Sequence, residues 1–597
     1  MHTCRRKPNP LGVVIPMLLW AGSVLAQPPG TEPARGFRPW PAVLPVVHVQ
    51  DPPVIDGQLN DEVWQDLAAV SNFVNARTGR PAQSQTEVWA LFDDKNLYVG
   101  VVAHEQKMDE VVSLVTARDG PVFRDNAVEL FIGPARLPGP YAHLAVNTLG
   151  TQFDEWVTKP GSTDLTWDPN WTARVTRQAH GWTVEIAVPF EALRVEPAMP
   201  GNIWRVNVTR ISGPTGELTT LARLKGGFHQ PDHFVSLRFC YGPNEARVRI
   251  KHSPVAVAEP PPLYPETTPV GAELPVPALD YARGPAKVTL ADDGWLLING
   301  HTFFPKMIFL NHGYEGIAEA GFNTVVTGHD TPDAQGTWIK ANLDALNAAH
   351  RHGLWVLLHV CNLFREERSQ FSELRQLVAA LKDHPALLGW YTADEPSGNV
   401  DAVAKLRTAY DLIKKLDANH PVFVLDNMPA TFGYWARGTC DVFLSNPYGI
   451  PRPGPGIVAD WTALARKVVG KGQAVMTVLQ AHGPDWYERY PTPGEAKTMA
   501  HLAVMNGATG LGWWAHGPAK SSPIWNQYPS ITSEAAALAQ AIRAASKREL
   551  AVQNGVYRLN FVLGEAGHLT VADTTKDQMP ATVVIKGDKQ EPVQLPV

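Results

Sequence analysis

Between residues 43 and 243, short runs of alternating apolar and polar residues are separated by turn residues. This period of two predicts an antiparallel, all-β domain. Thr86-Glu87-Val88-Trp89-Ala90-Leu91-Phe92 runs into the turn Asp93-Asp94, and Leu97-Tyr98-Val99-Gly100-Val101-Val102 follows. Trp182-Thr183-Val184-Glu185-Ile186-Ala187-Val188-Pro189 repeats the alternation. From residue 288 to residue 545 the pattern changes to short apolar runs separated by helix-period segments, which predicts βα units around a parallel sheet. The strand-like runs are 307–311, 324–327, 355–360, 387–392, 422–425, 442–445, 474–479 and 510–514. Leu374, Leu377, Val378 and Leu381 form one helical stripe; Val403, Leu406, Tyr410 and Ile413 form another. Eight such strands match a (β/α)8 (TIM) barrel. An open doubly wound sheet is the alternative, but no Gly-rich loop follows the first strand. Residues 546–597 return to β-like alternation; about fifty residues are marginal alone, so this C-terminal segment is expected to pack on the barrel.

A chain of 597 residues exceeds one ordinary core. Residues 244–287, which include Pro260-Pro261-Pro262, read as a Pro-rich linker, and residues 27–42 as a flexible leader. Ahead of that leader, Arg5, Arg6 and Lys7 precede an apolar stretch that ends in Val24-Leu25-Ala26. Residues 1–26 therefore read as a cleaved export signal, which predicts a periplasmic or secreted protein. No later stretch is expected to span a membrane. Cleavage removes Cys4 and leaves Cys240, Cys361 and Cys440, an odd number unsuited to a disulfide framework. With 18% charged residues, a net charge of −6 and no basic block, nothing points to nucleic acid or an anionic membrane surface.

The most informative segment is Leu387-Leu388-Gly389-Trp390-Tyr391-Thr392-Ala393-Asp394-Glu395-Pro396. An apolar run climbs into two adjacent carboxylates, and the proline then ends the strand. Carboxylates at a strand end, partly desolvated by neighbours such as Trp390 and Tyr391, suit general acid catalysis. The competing reading is a strand leading into an acid-capped helix. Side by side on a regular strand the two carboxylates point to opposite faces, so both reach one pocket only if the backbone turns at 393–396. The other strand ends are also polar or aromatic: Asn311 and His312, His329 and Asp330, His359 and Asn362, Asp426 and Asn427. Then come Asn446 and Tyr448, Gln480 and His482, and Trp513, Trp514 and His516. Amides and aromatic faces suit sugar hydroxyls and rings, with Asn311, His359, Asn427, Asn446, Tyr448, Gln480, Trp513 and Trp514 as candidate contacts. The His residues lack metal-ligand spacing, so neither a metal nor a cofactor is expected.

Asp293-Gly294, Asn299-Gly300, Phe303-Phe304-Pro305 and the Gly389-to-Pro396 segment resemble a glycoside-hydrolase barrel over about 230 residues. In the large retaining clan of such barrels the acid/base Glu ends strand four, which corresponds to Glu395. The clan's nucleophile is a Glu ending strand seven, where this chain has Gln480, a residue unable to form a glycosyl ester. Adjacent Asp and Glu at strand four also resemble substrate-assisted N-acetylhexosaminidases, in which the 2-acetamido oxygen attacks C1. That resemblance implies that Glu395 protonates the leaving group and Asp394 orients the acetamido N–H, with Tyr448 on the acetamido carbonyl. The alternatives are another enzymic nucleophile, drawn from Asp426, Asp485 and Glu488, or a non-catalytic sugar-binding barrel. The expected partner is an oligosaccharide or glycoconjugate.

Residues 43–243 resemble a family-9-type carbohydrate-binding module. The residues that carry this are Ile55-Asp56-Gly57 through Trp64, Phe92-Asp93-Asp94 with Leu97-Tyr98-Val99, Arg124-Asp125-Asn126 through Glu129, and Gly181-Trp182 through Phe190. The resemblance implies a β-sandwich, with Trp167 and Trp171 as candidate stacking residues and Arg124 as their polar partner.

Overall fold

The computed structural model describes residues 43–243 and 284–553, with short gaps at 135–138, 311–312, 334–336, 365–368, 398–399 and 485–486 and at a few single positions, and strand segments as far as 594. The expected export signal, the leader and most of the linker lie outside the described residues.

The N-terminal unit is a β-sandwich. Val43–His48 runs parallel to its two neighbours, Val235–Cys240 and Thr86–Phe92. On one side the sheet continues through Asn96–His104, Gly181–Pro189 and Thr172–Gln178. On the other it continues through Ile203–Ser212, Ala127–Gly133, Tyr141–Asn147 and Gln152–Lys159. The Asp56-Gly57…Trp64 signature has a structural cause. The Glu185 carboxylate accepts from Asp56 N at 2.9 Å, Gly57 N at 2.8 Å and the Trp64 indole N–H at 2.8 Å. A loop and a buried indole are thereby tied to the middle of a strand. Gly57 sits at φ +89°, and a Cβ there would lie 2.9 Å from Thr176 Oγ1, so only glycine fits the turn.

The sandwich packs directly on the second unit. Arg437 Nη1 donates to Glu110 Oε1 at 3.0 Å, and the Arg124 guanidinium lies 5.3 Å from the centre of the Trp461 ring. A Cβ on Gly213 would lie 2.0 Å from the Ala430 carbonyl oxygen, so the two backbones meet there.

The second unit is a closed parallel barrel of eight strands, as the pattern predicts. In chain order they are β1 (Lys306–Phe309), β2 (Thr324–Thr327), β3 (Trp355–His359), β4 (Leu387–Asp394), β5 (Val422–Asp426), β6 (Val442–Ser445), β7 (Ala474–Gln480) and β8 (Leu511–Trp514). β8 pairs with β1 and closes the ring. Strand alternation sorts side chains into two cores. Met307, Phe309, Phe423, Leu425, Met476 and Val478 fill the barrel. Ile308, Val424, Val475 and Trp513 face the helices, where the Phe371–Leu381 stripe (Leu374, Leu377, Val378, Leu381) meets them. Beyond the barrel, Lys547–Gln553, Val556–Leu563 and Glu565–Ala572 form an antiparallel sheet, and Leu550 packs against the strand–helix core.

β4 departs from simple alternation. Its register slips against β3 between Val356 and Leu357, and against β5 between Tyr391 and Ala393. With these two irregularities the inward residues fall three apart, at Leu388, Tyr391 and the cavity-lining Asp394. Leu387, Trp390 and Ala393 face the helices. Gly389 sits at the first slip, where a Cβ would lie 2.5 Å from the Phe423 ring and 2.6 Å from the Pro421 carbonyl oxygen. We predict that Gly389→Ala costs roughly 1–3 kcal/mol, because the carbonyl cannot rotate away. Urea unfolding of both proteins measures this, and an unchanged midpoint would show that the strand tolerates the added methyl.

Candidate active site

A cavity of ≈ 250 Å³ opens at the C-terminal end of the barrel, lined by Phe309, Asp394, Glu395, Leu425, Asn446, Tyr448 and Trp514. Both adjacent carboxylates line it, and the backbone explains how. Asp394 is the last inward residue of β4. Glu395 then adopts φ +51°, a left-handed conformation that non-glycine residues rarely take. Its N–H donates to the Leu425 carbonyl at 3.0 Å, which fixes the turn against β5. The turn at 393–396 on which a shared pocket depends is therefore present.

Each carboxylate is held by a neutral donor. The Tyr391 hydroxyl donates to Asp394 Oδ1 at 2.8 Å, and Asn446 Nδ2 donates to Glu395 Oε1 at 2.7 Å. Burial, reinforced by the Asp394 charge, pushes the Tyr391 hydroxyl well above its ordinary range, so it stays protonated and donates. Burial likewise raises Tyr448 well above the ordinary tyrosine value. The Tyr448 ring stands edge-on to His482, with centroids 4.8 Å apart. Trp514 packs edge-on against Phe309 at 5.1 Å and gives the cavity an aromatic wall.

The remaining candidates sit elsewhere. Trp513 faces the helices and is fully buried, because adjacent residues of β8 point opposite ways. Gln480 is also fully buried: its amide accepts from Ile450 N and donates to Ile450 O, each at 3.0 Å. It clamps the loop after β6 and is absent from the cavity lining. His359 binds Asp330 through Nδ1 at 2.7 Å, with its ring 5.4 Å from Tyr391, one layer behind the cavity. Asn427 is half-buried and does not line the cavity, and Asn311 lies outside the described residues. Trp390 turns away as well, donating to Asp417 Oδ2 at 2.9 Å, and Glu395 is exposed. The expected aromatic desolvation of Glu395 by Trp390 is therefore absent. Phe309, Leu425 and the donor role of Tyr391 were missed. Two are plain apolar residues, and the third follows only once the three-residue spacing of β4 is seen.

In the sandwich, Trp167 and Trp171 are buried and offer no stacking platform. Their indole N–H groups donate to Ala192 O at 3.2 Å and Asp154 Oδ2 at 2.9 Å. Arg124 is engaged by Trp461 at the contact with the barrel.

Residues 55–203 match a family model described as "Carbohydrate family 9 binding domain-like". A comparison with curated proteins gave no match. Among solved structures, the chain is similar to a putative carbohydrate-binding protein from Bacteroides uniformis, with 13% identity, coverage of 33% of this chain and 98% of that one, and a TM-score of 0.29. It is also similar to a family 9 carbohydrate binding module from Caldicellulosiruptor kristjanssonii in complex with glucose, with 16% identity, coverage of 33% and 96%, and a TM-score of 0.26. A third similarity is to the endo-beta-1,4-mannanase from Thermotoga petrophila, with 13% identity, coverage of 49% and 96%, and a TM-score of 0.30.

Asp426 ends β5 on the outward side, fully buried, and accepts from the Ser397 and Thr431 hydroxyls. Ser397 follows the Glu395 turn by two residues, so Asp426 anchors that turn from beneath. Burial, with a smaller push from the Glu395 charge, raises the Asp426 carboxyl to about 7. Between about pH 4 and 7 the folded chain thus holds a proton that the unfolded chain has released. The associated stability is complete below the unfolded value and is lost as pH rises through about 7. We predict that the unfolding free energy of the native protein, relative to Asp426→Asn, falls between about pH 4 and 7 by at most ~1.4 kcal/mol per pH unit and levels off above that. Urea titrations across that range test this, and a flat difference would show that Asp426 carries no such proton.

Proposed function

We propose that the protein is an exported glycoside hydrolase whose barrel cleaves N-acetylhexosaminides with the help of the substrate's own 2-acetamido group. One observation carries this reading: Asp394, Glu395, Tyr448 and Trp514 line one cavity, and no further carboxylate lines it among the described residues. Double displacement with an enzymic nucleophile needs a second carboxylate across the bond. Gln480 stands at the end of β7, and Asp426 is buried on the outward side of β5. Glu488 is exposed and paired with Arg452 at 3.0 Å, while Asp485 lies outside the described residues. Export rests on residues 1–26 of the sequence alone. Glycan binding by the sandwich rests on the family match over residues 55–203. No helix among the described residues is long and apolar enough to cross a membrane.

In this mechanism the acetamido carbonyl oxygen attacks C1 as the C1–O bond breaks, and Glu395 gives its proton to the departing oxygen. The bicyclic oxazolinium that forms carries positive charge at nitrogen. Asp394, held by Tyr391, stabilises that charge, and the Tyr448 hydroxyl aligns the carbonyl. Glu395, now a carboxylate, takes a proton from water as the water attacks C1 and reopens the ring, which restores the acid. Trp514 supplies a face for the sugar ring.

Glu395→Gln removes the transferable proton and is expected to lower kcat by at least ~10²-fold, with a smaller loss for aryl glycosides bearing good leaving groups. Asp394→Asn acts on charge that develops in the transition state, so kcat is expected to fall roughly 10²–10³-fold with KM nearly unchanged. Aryl N-acetylhexosaminides should turn over and aryl glucosides should be inert, and a thiazoline mimic of the ring should inhibit. Turnover of simple glucosides without thiazoline inhibition would exclude substrate assistance. Failure of every aryl glycoside would leave a sugar-binding barrel.

A further inference from the structure

Ala127–Gly133, Tyr141–Asn147 and Gln152–Lys159 are neighbouring antiparallel strands of the sandwich, and their register sets Phe131 and Glu155 opposite His143 on either side. His143 is buried, with Nε2 2.7 Å from Glu129 Oε2 and Nδ1 2.9 Å from Glu155 Oε1. From an adjoining loop, His229 brings Nε2 to 4.0 Å from the same Glu155 oxygen, while its Nδ1 lies 2.9 Å from the Tyr141 hydroxyl. One ligand atom from each of His143, Glu155 and His229 falls within 4.8 Å of the other two.

We propose that His143, Glu155 and His229 form a binding site for a divalent transition-metal ion of the Zn²⁺ class. Two imidazole nitrogens and one carboxylate oxygen are the donor set that such ions prefer over Ca²⁺ or Mg²⁺. The supporting groups are arranged for the task. A metal-binding imidazole usually donates its second N–H to a carboxylate or other oxygen, which fixes the ring and the tautomer. Glu129 takes that role for His143, and the Tyr141 oxygen takes it for His229. Phe131 stacks on the His143 ring at 4.3 Å, nearly parallel at 7°, and walls the site on one side. His229 is exposed, which gives an ion a path inward and leaves a fourth position for water. Tetrahedral ligation needs ligand atoms about 3.3 Å apart, so Glu155 would move off His143 by about 0.4 Å, and His229 would swing in by about 0.7 Å toward Glu155 and by up to about 1.5 Å toward His143. Motif spacing could not reveal this site, because its ligands meet across strands and from a loop. The rival explanation is a buried ion pair in which His143 bridges two carboxylates without metal.

The test uses the full chain, stripped with chelator and titrated with ZnCl₂ by calorimetry near neutral pH. One saturable site is expected, together with a melting temperature that rises with Zn²⁺. His229→Ala removes an exposed ligand, should fold, and should weaken binding by at least ~10-fold; Tyr141→Phe, which loses only the supporting oxygen, should weaken it by about 10-fold. CaCl₂ should give neither heat nor a melting shift at the same concentrations. Cobalt(II) loading should give the visible absorption of a four-coordinate ion, lost in His229→Ala. The proposal is overturned by absence of saturable Zn²⁺ binding, by Zn²⁺ binding that is unchanged in His229→Ala, or by equal affinity for Ca²⁺.

Discussion

A regular strand cannot present two consecutive side chains to one cavity, because the pleat sends them to opposite faces. The site of this barrel depends on how β4 escapes that constraint. Two register slips set its inward residues three apart, and this places the Tyr391 hydroxyl 2.8 Å from the carboxylate it holds. At the strand's end the left-handed conformation of Glu395 swings the next carboxylate to the same side. Such a backbone typically costs on the order of 1 kcal/mol or more, and persists where surrounding contacts over-determine it. Here those contacts are the Leu425 carbonyl on the Glu395 amide, Asn446 on its side chain, and the Asp426–Ser397–Thr431 cluster beneath. That strained conformation falls on the residue that the proposed chemistry uses as its acid.

The barrel was legible because a closed sheet covered by helices imposes strong periodicities, and each of its eight strands falls on one of the apolar runs. The site was less legible for reasons that differ by residue. Reading strand ends as a ring treats neighbours such as Trp513 and Trp514 alike, whereas the pleat sends one to the helices and the other to the cavity. Gln480 has the composition of a sugar contact but is consumed by the two backbone groups of Ile450. Asp394 and Glu395 stood out because two carboxylates at the end of an apolar run have few structural uses. Phe309 and Leu425 could not stand out, since an apolar residue at a cavity wall looks like any other core residue.

Gln480 also bears on the chemistry. A carboxylate at that position would face backbone groups that demand one donor and one acceptor; the primary amide supplies both, while an ionised glutamate supplies only acceptors. The loop after β6, which carries Tyr448, is therefore held by the residue that stands where a nucleophile would otherwise stand. The absence of a carboxylate at the end of β7 and the hold on the loop that carries Tyr448 are two consequences of one side chain. This coupling favours a mechanism in which the reacting oxygen comes from the substrate and Tyr448 aligns it.

The sandwich teaches the complementary lesson. The residues that carry its family resemblance mainly hold the fold: Trp64 and the 56–57 backbone converge on Glu185, Asp125 accepts from the amides of Leu114 and Val115, and Asn126 accepts from Gly213 N. Arg124, from the same signature, reaches across to Trp461 of the barrel. A signature of this kind specifies architecture and the seam between units, and it leaves the ligand to residues that architecture does not require. His143 and His229 are of that sort. Burying an imidazole between two carboxylates contributes less to folding than a well-packed apolar residue of similar size. In this sandwich, however, His143 also pairs the buried Glu129 and Glu155 carboxylates, so the same imidazole that holds the strands together stands at the proposed metal site.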